Sequence, residues 1–197
     1  MSAPTFKNRP NQHLKYYYTD GCGLTIKQDF FISRATAVVG IVFALTKDGV
    51  YILTAKRSKK MYDEPNKVGV PCGYLDWDET RHEAMIREVC EETSLYLPDY
   101  AKHLWYNNND EPIVIKDNPA SNKRQNISHI YLTVLDFTES MFEMPFDIET
   151  FSCKETEWVK WMKLETFYLT CVNYQWAFSH DETIKNAIKF YNEKFSK

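Results

Sequence analysis

No Cys-x-x-Cys pair occurs in this 197-residue chain, and its five cysteines (Cys22, Cys72, Cys90, Cys153, Cys171) are odd in number. Neither a disulfide framework nor a zinc site follows from such a set. The five histidines (His13, His82, His103, His129, His180) show no ligand spacing. There is no excess of positive charge: the formal net charge is -3 and the pI about 6.0. Broad electrostatic affinity for nucleic acid is therefore not expected. The longest apolar stretch, Ala35 to Leu45, is too short to span a bilayer and includes Thr36 and Gly40. The segment from Met1 to Pro10 has no apolar h-region, so a soluble cytoplasmic protein with no membrane partner is expected. Without a secretion signal, the glycosylation pattern Asn126-Ile127-Ser128 reads as chance. Internal repeats, low-complexity tracts and domain linkers are also missing.

What is present is ordinary for a globular domain, with 44% hydrophobic and 26% charged residues. Aromatics reach 15%, and most are expected to fill the core and an interface. Residues 1–33 read as an arm, with Leu14 to Tyr18 and Leu24 to Ile26 flanking a turn at Asp20-Gly21-Cys22-Gly23. Residues 34–197 read as one domain with a C-terminal helix. Thr36 to Leu45 is nearly continuous apolar sequence, which predicts a central strand buried on both faces. Val50 to Ala55 is its return strand, and Val68 to Leu75 is broken by Gly69, Pro71 and Gly73. Further strands are expected at Val114–Lys116, Ser128–Phe137 and Val159–Met162. Periodicity alone gives only a mixed α and β domain.

Two helix starts are marked. Thr80-Arg81-His82-Glu83 and Ser179-His180-Asp181-Glu182 both fit a capping box. In the first helix Met85, Ile86, Val89, Cys90 and Thr93 form an apolar face, with Cys90 read as a small buried hydrophobe. Ala84, Glu88, Glu91 and Glu92 lie on another face, and the small Ala84 leaves room one turn before Glu88. Three carboxylates at i, i+3 and i+4 repel one another and destabilise an isolated helix. A hard divalent cation, which takes oxygen ligands and bridges carboxylates to phosphates, offsets that repulsion. A solvated acidic face is the plainer reading of the same charges.

The surrounding spacing separates the two. Gly73 is followed after five residues by Glu79, then after seven by Arg87-Glu88-Val89, one residue, Glu91-Glu92, two residues and Leu95. This stretch resembles the Nudix box, the signature of a superfamily that hydrolyses nucleoside diphosphates linked to another moiety. It covers 23 residues and departs from the pattern once, with Ser94 where the family has Gly. The resemblance implies a Nudix-type α/β/α sandwich around a mixed β-sheet. It also implies Mg²⁺ as cofactor, with Mn²⁺ able to substitute, held by Glu88, Glu91 and Glu92 and by the backbone carbonyl of Gly73. Arg87 is expected to fix Glu79 or Glu88 by paired hydrogen bonds. Glu88 is a candidate base. A Gly at the place of Ser94 ends the helix in a left-handed conformation, so Ser94 puts helix-end geometry in question rather than the chemistry.

Beyond the box the readings stay open. Arg57, in the basic run Lys56 to Lys60, is either part of a solvated loop or a phosphate contact. Lys123 and Arg124 are candidates for phosphate or ribose oxygens. Glu155 and Glu157, and behind them Asp147 and Glu149, are candidates for a further acid. The first substrate expected is ADP-ribose or a related sugar nucleotide. Dinucleoside polyphosphates, nucleoside triphosphates, dinucleotide cofactors and RNA caps are alternatives. Two other classes are a non-catalytic nucleotide-sensing module and an isoprenoid diphosphate isomerase, for which Cys72 is the one candidate cysteine. Members with an N-terminal arm often pair through it, so a homodimer is expected.

Overall fold

The computed structural model describes residues 13–19, 21–31, 35–117, 126–139 and 151–195. Strands β1 (His13–Thr19) and β2 (Thr25–Phe31) pair antiparallel as the expected hairpin and form a sheet of their own. The central strand is β3 (Thr36–Thr46), of which residues 37–44 are all buried. It runs antiparallel to β4 (Gly49–Arg57), and the turn between them is tied by the Thr46 hydroxyl donating to the Asp48 carboxylate. Two short strands follow: β5 (Val68–Gly69) pairs with β4, and β6 (Cys72–Tyr74) pairs with β3.

The helix α1 (Arg81–Thr93) comes next, then the short strands β7 (Leu104–Tyr106) and β8 (Val114–Lys116). Both pair with β9 (Ile127–Asp136), which lies parallel to β3. The strand β10 (Thr156–Lys163) closes the other edge against β4. The sheet order is β10-β4-β3-β9-β7, with one parallel pair among antiparallel ones. Helices α2 (Leu164–Thr170) and α3 (His180–Phe195) complete the chain. The short α2 and the three-residue edge strand β7 fall in stretches the hydrophobic pattern leaves unassigned.

The alternation along β3 explains the layers. Val38, Val42 and Ala44 pack on one face with Met85, Val89, Leu95 and Tyr131. Val39, Ile41 and Phe43 pack on the other with Phe167, Ile184, Ala187 and Ile188. A strand covered on both sides has no room for polar alternation, so its run of β-branched residues is a consequence of burial. The result is a mixed sheet between helices. Burial of Met85, Val89 and Leu95 stabilises the α1 layer by about 1.5–3 kcal/mol each. Gly40 sets the approach: a Cβ there would lie 2.6 Å from Val89 Cγ2, so any larger residue pushes α1 off the sheet. Among the described residues, no helix is long and apolar enough to cross a membrane.

Candidate active site

The site is built on the flank of α1 that faces β6. Helix α1 starts where the sequence predicts, with a full capping box. The Glu83 N–H donates to Thr80 Oγ1 at 3.2 Å, and the Thr80 N–H donates to Glu83 Oε2 at 2.8 Å. It ends at Ser94, which has φ 64° and ψ 5°, its N–H donating to the Cys90 carbonyl at 2.7 Å. Ser94 therefore takes the left-handed turn a Gly would take without strain, and the helix geometry is kept.

The acids do not all face water. Glu88 and Glu92 are buried, 9% and 7% exposed, whereas Glu91 is exposed. What this corrects is the plainer reading of a solvated acidic face and the reading of Cys90 as a buried hydrophobe. The buried set is Ala84, Met85, Glu88, Val89, Glu92 and Thr93; Ile86 and Cys90 are only half-buried. Gly73 makes the burial of Glu88 possible. A Cβ at that position would lie 2.0 Å from Glu88 Oε1, so the carboxylate occupies the space a side chain would need.

Arg87 organises the acids. Its Nε and Nη2 donate to the two oxygens of Glu79 at 3.0 and 2.7 Å. Its Nη1 donates to Glu88 Oε1 at 2.7 Å and Glu91 Oε2 at 3.0 Å, and Nη2 also reaches the Tyr74 carbonyl at 3.0 Å. All five N–H groups of the guanidinium thus have an acceptor. Glu79 in turn accepts from the Asp76 N–H at 2.8 Å, which ties the loop before the helix to the same fork. Arg87 holds the Glu79 carboxyl below its ordinary range. Burial pushes Glu88 up, against the pull of Arg87.

Glu92 is different. Burial, and then the Glu88 charge, push its pKa up to about 8. One of its oxygens accepts from the Cys72 N–H at 3.2 Å, and its nearest cation is Arg57 at 3.8 Å. Glu92 is a buried carboxylate short of positive charge. A small cavity beside it is lined by Arg57, Cys72, Glu155, Thr156 and His180. Burial and the Glu92 carboxylate push the Cys72 thiol well above its usual value. His180 is buried and accepts from the Val70 N–H through Nδ1 at 3.1 Å. Burial lowers its pKa to about 3, so it is neutral with its proton on Nε2.

The structure thus brings Gly73, Glu79, Arg87, Glu88, Glu91, Glu92, Arg57 and Glu155 to one region. Glu157 is not among the residues lining the cavity; it faces out and pairs with Lys56 at 3.1 Å. Lys123, Arg124, Asp147 and Glu149 lie outside the described residues. Two neighbours of the cavity carry no local sequence signal: His180, which lines it, and Phe178, whose ring packs against Arg57. The box expected at Ser179 does not form in the usual way: Ser179 has φ 57°, Glu182 pairs with Lys185, and the Thr183 hydroxyl donates to the Ser179 carbonyl. Among the described residues, no three His, Cys, Asp or Glu side chains converge to cage a cation, and Arg87 Nη1 is shared between Glu88 and Glu91.

The family model of the NUDIX domain matches residues 34–186. Three solved structures share the fold. A bifunctional NMN adenylyltransferase/ADP ribose pyrophosphatase from Francisella tularensis, complexed with AMP and a Mn ion, is 23% identical with a TM-score of 0.60. The match covers 80% of this chain and 42% of that one, so this chain spans less than half the Francisella protein. The NUDIX domain of Shewanella oneidensis NrtR, complexed with ADP ribose, is 18% identical with a TM-score of 0.56, covering 81% and 89%. NrtR complexed with a 27mer DNA is 20% identical with a TM-score of 0.57, covering 81% and 63%. No curated protein matches the chain.

Proposed function

The chain belongs to the NUDIX domain family, and from that premise we propose that it is a divalent-metal-dependent hydrolase of the pyrophosphate bond in a nucleoside diphosphate linked to another moiety. ADP-ribose or a related sugar nucleotide is the first substrate class. The observation that carries this reading is Glu92, an acid buried beside Glu88 whose one cation lies no nearer than 3.8 Å. Hydrogen-bonding to Arg87 answers Glu79, Glu88 and Glu91 but not Glu92. An oxygen-only donor set around a buried acid, whose carboxylate form an adjacent cation would stabilise, fits Mg²⁺ or Mn²⁺.

Glu92, Glu88 and Glu91 would hold the cation, with the Gly73 carbonyl as a further oxygen. Bound there, it supplies neutralisation of the phosphate oxygens and a more acidic water. Arg87 and Glu79 hold Glu88 over Gly73 and fix the loop from Tyr74 to Thr80. Glu88 is the candidate base that takes a proton from the attacking water. Arg57 meets a phosphate oxygen, and Glu155, lining the same cavity, is the additional acid. The ligands named in the Francisella and Shewanella structures, AMP with Mn and ADP ribose, support the substrate class. Residues 1–33 are read as an arm outside the domain, with a homodimer paired through it; a monomer by sedimentation at micromolar concentration would count against this.

The test is a substrate panel with Mg²⁺ and Mn²⁺: ADP-ribose, other sugar nucleotides, dinucleoside polyphosphates, nucleoside triphosphates, dinucleotide cofactors and capped RNA. Turnover of ADP-ribose or a sugar nucleotide, lost on chelation, is expected. Tight nucleotide binding without turnover would favour a sensing module instead.

A further inference from the structure

The C-terminal segment enters the site on a strained turn. Gln175 accepts from the Val68 N–H at 2.8 Å and Trp176 bridges to Val68, so this segment extends the sheet beside β5. Two residues later the backbone turns left-handed twice, at Phe178 with φ 51° and ψ 27° and at Ser179 with φ 57°. A bulky residue in this region is a costly outlier, and Ser179 follows Phe178 in the same region. Glycine would make the same turn without that cost. The fold locks the turn from behind: His180 is buried against β5, where a Cβ on Gly69 would lie 2.7 Å from its Nδ1.

The Phe178 ring is what the strain presents. The guanidinium carbon of Arg57 lies over it, 5.1 Å from the ring centroid. Arg57 is otherwise held at its root, Nε donating to the Asp63 carbonyl at 3.2 Å. Its Nη1 lies 3.8 Å from Glu92 Oε1, an ion-pair distance rather than a hydrogen bond. The Arg57 side chain is 12% exposed. A largely buried guanidinium, braced on one face by Phe178 and lining the cavity shared with Glu92 and Glu155, is set to receive an anion.

We propose that Phe178 is a positioning residue for the cleavage centre: its ring, fixed by the strained turn, braces the Arg57 guanidinium beside Glu92 so that its outer N–H groups meet a substrate phosphate. This rests on the hydrolase reading above, with Arg57 as the phosphate contact. Phe178 touches no substrate; it acts through Arg57. The strain is retained because a relaxed Gly at 178 carries no ring.

The experiment combines kinetics with a direct view of Arg57. Phe178→Leu is expected to raise KM for the best substrate of the panel about fivefold, the factor that ~1 kcal/mol corresponds to, with kcat within about twofold. Phe178→Tyr, which keeps the aromatic face, recovers most of the loss. Phe178→Gly shows the same rise in KM while its Tm stays within a few degrees of wild type, since relief of strain offsets the loss of a ring that is 44% exposed. In Arg57→Ala, which alone raises KM further, Phe178→Leu adds nothing; independent, additive effects would overturn the proposal. NMR of the Arg57 Nε–H group gives a readout without turnover. Its signal shifts and gains mobility in Phe178→Leu, and an unmoved signal would also overturn the proposal. Wild-type protein inert on the whole panel would remove the hydrolase reading, and the NMR comparison would still decide whether Phe178 positions Arg57.

Discussion

Gly73→Ala is the substitution whose effect the geometry fixes most closely. The added methyl would lie 2.0 Å from Glu88 Oε1, 2.2 Å from Cδ and 2.5 Å from Oε2. Ordinary van der Waals contact begins near 3.4 Å, so the carboxylate must retreat by more than 1 Å. Retreat breaks or stretches the 2.7 Å bond from Arg87, a charge-assisted contact worth about 1.5–3 kcal/mol when fully made. Partial retention of that contact leaves a destabilisation of about 1–2 kcal/mol, or ~2–8 °C in Tm for a chain of this size. The kinetic effect is larger. A group displaced by about 1 Å from its working position costs on the order of 10²-fold in rate. Gly73 does not have a positive φ, so the loss cannot be assigned to backbone strain from Ala. Steady-state hydrolysis with Mg²⁺, beside a thermal melt, reads both effects. A Gly73→Ala protein with kcat/KM within threefold of wild type would refute the claim that the position of Glu88 matters to the chemistry.

Ser94→Gly acts on stability alone. It relieves a left-handed Ser and should add about 1 kcal/mol, raising Tm by ~2–4 °C with turnover unchanged; a substantial drop in Tm would contradict the helix-end geometry. His180 makes the protein acid-sensitive. Its folded pKa, about 3, lies below its unfolded value near 6.5, so the unfolded state binds the extra proton between those limits. Stability is full above pH 6.5 and falls as pH drops toward 3, with a limiting slope of about 1.4 kcal/mol per pH unit. His180→Asn, which keeps an acceptor for the Val70 N–H, should flatten that limb in denaturant melts at several pH values; an unchanged slope would contradict the buried neutral histidine.

How much of this the sequence discloses depends on the range of the interaction. The box is legible because Glu79, Arg87, Glu88, Glu91 and Glu92 lie within one loop and one helix, where spacing sets geometry. The same holds for the capping box at Thr80 and for Ser94, whose left-handed turn completes a local hydrogen bond. The burial of Glu88 and Glu92 is not legible in the helix alone. It depends on the space above Gly73 and on the Cys72 N–H, both supplied by a strand that periodicity treats as separate. The spacing marks those positions as ligands, but whether a carboxylate there is buried or open is decided by that strand. His180 and Phe178 are further removed: His180 meets Val70 across 110 residues, and the turn that carries Phe178 has no Gly or Pro to mark it. The seven-residue α2 has no side-chain cap, and β7 has three residues, both too short for a period to register.

The most direct measurement is pyrophosphate-bond hydrolysis of ADP-ribose and the other panel substrates by wild type, Glu91→Gln and Glu92→Gln over a range of Mg²⁺ concentrations. Removing the Glu92 charge should cut turnover by more than about 10²-fold at every Mg²⁺ concentration, as expected for a buried oxygen that holds the cation. Glu91→Gln should shift the Mg²⁺ dependence to higher concentration, because Glu91 is exposed and shares Arg87. Undiminished activity in both variants would contradict the assignment of this helix flank as the metal site.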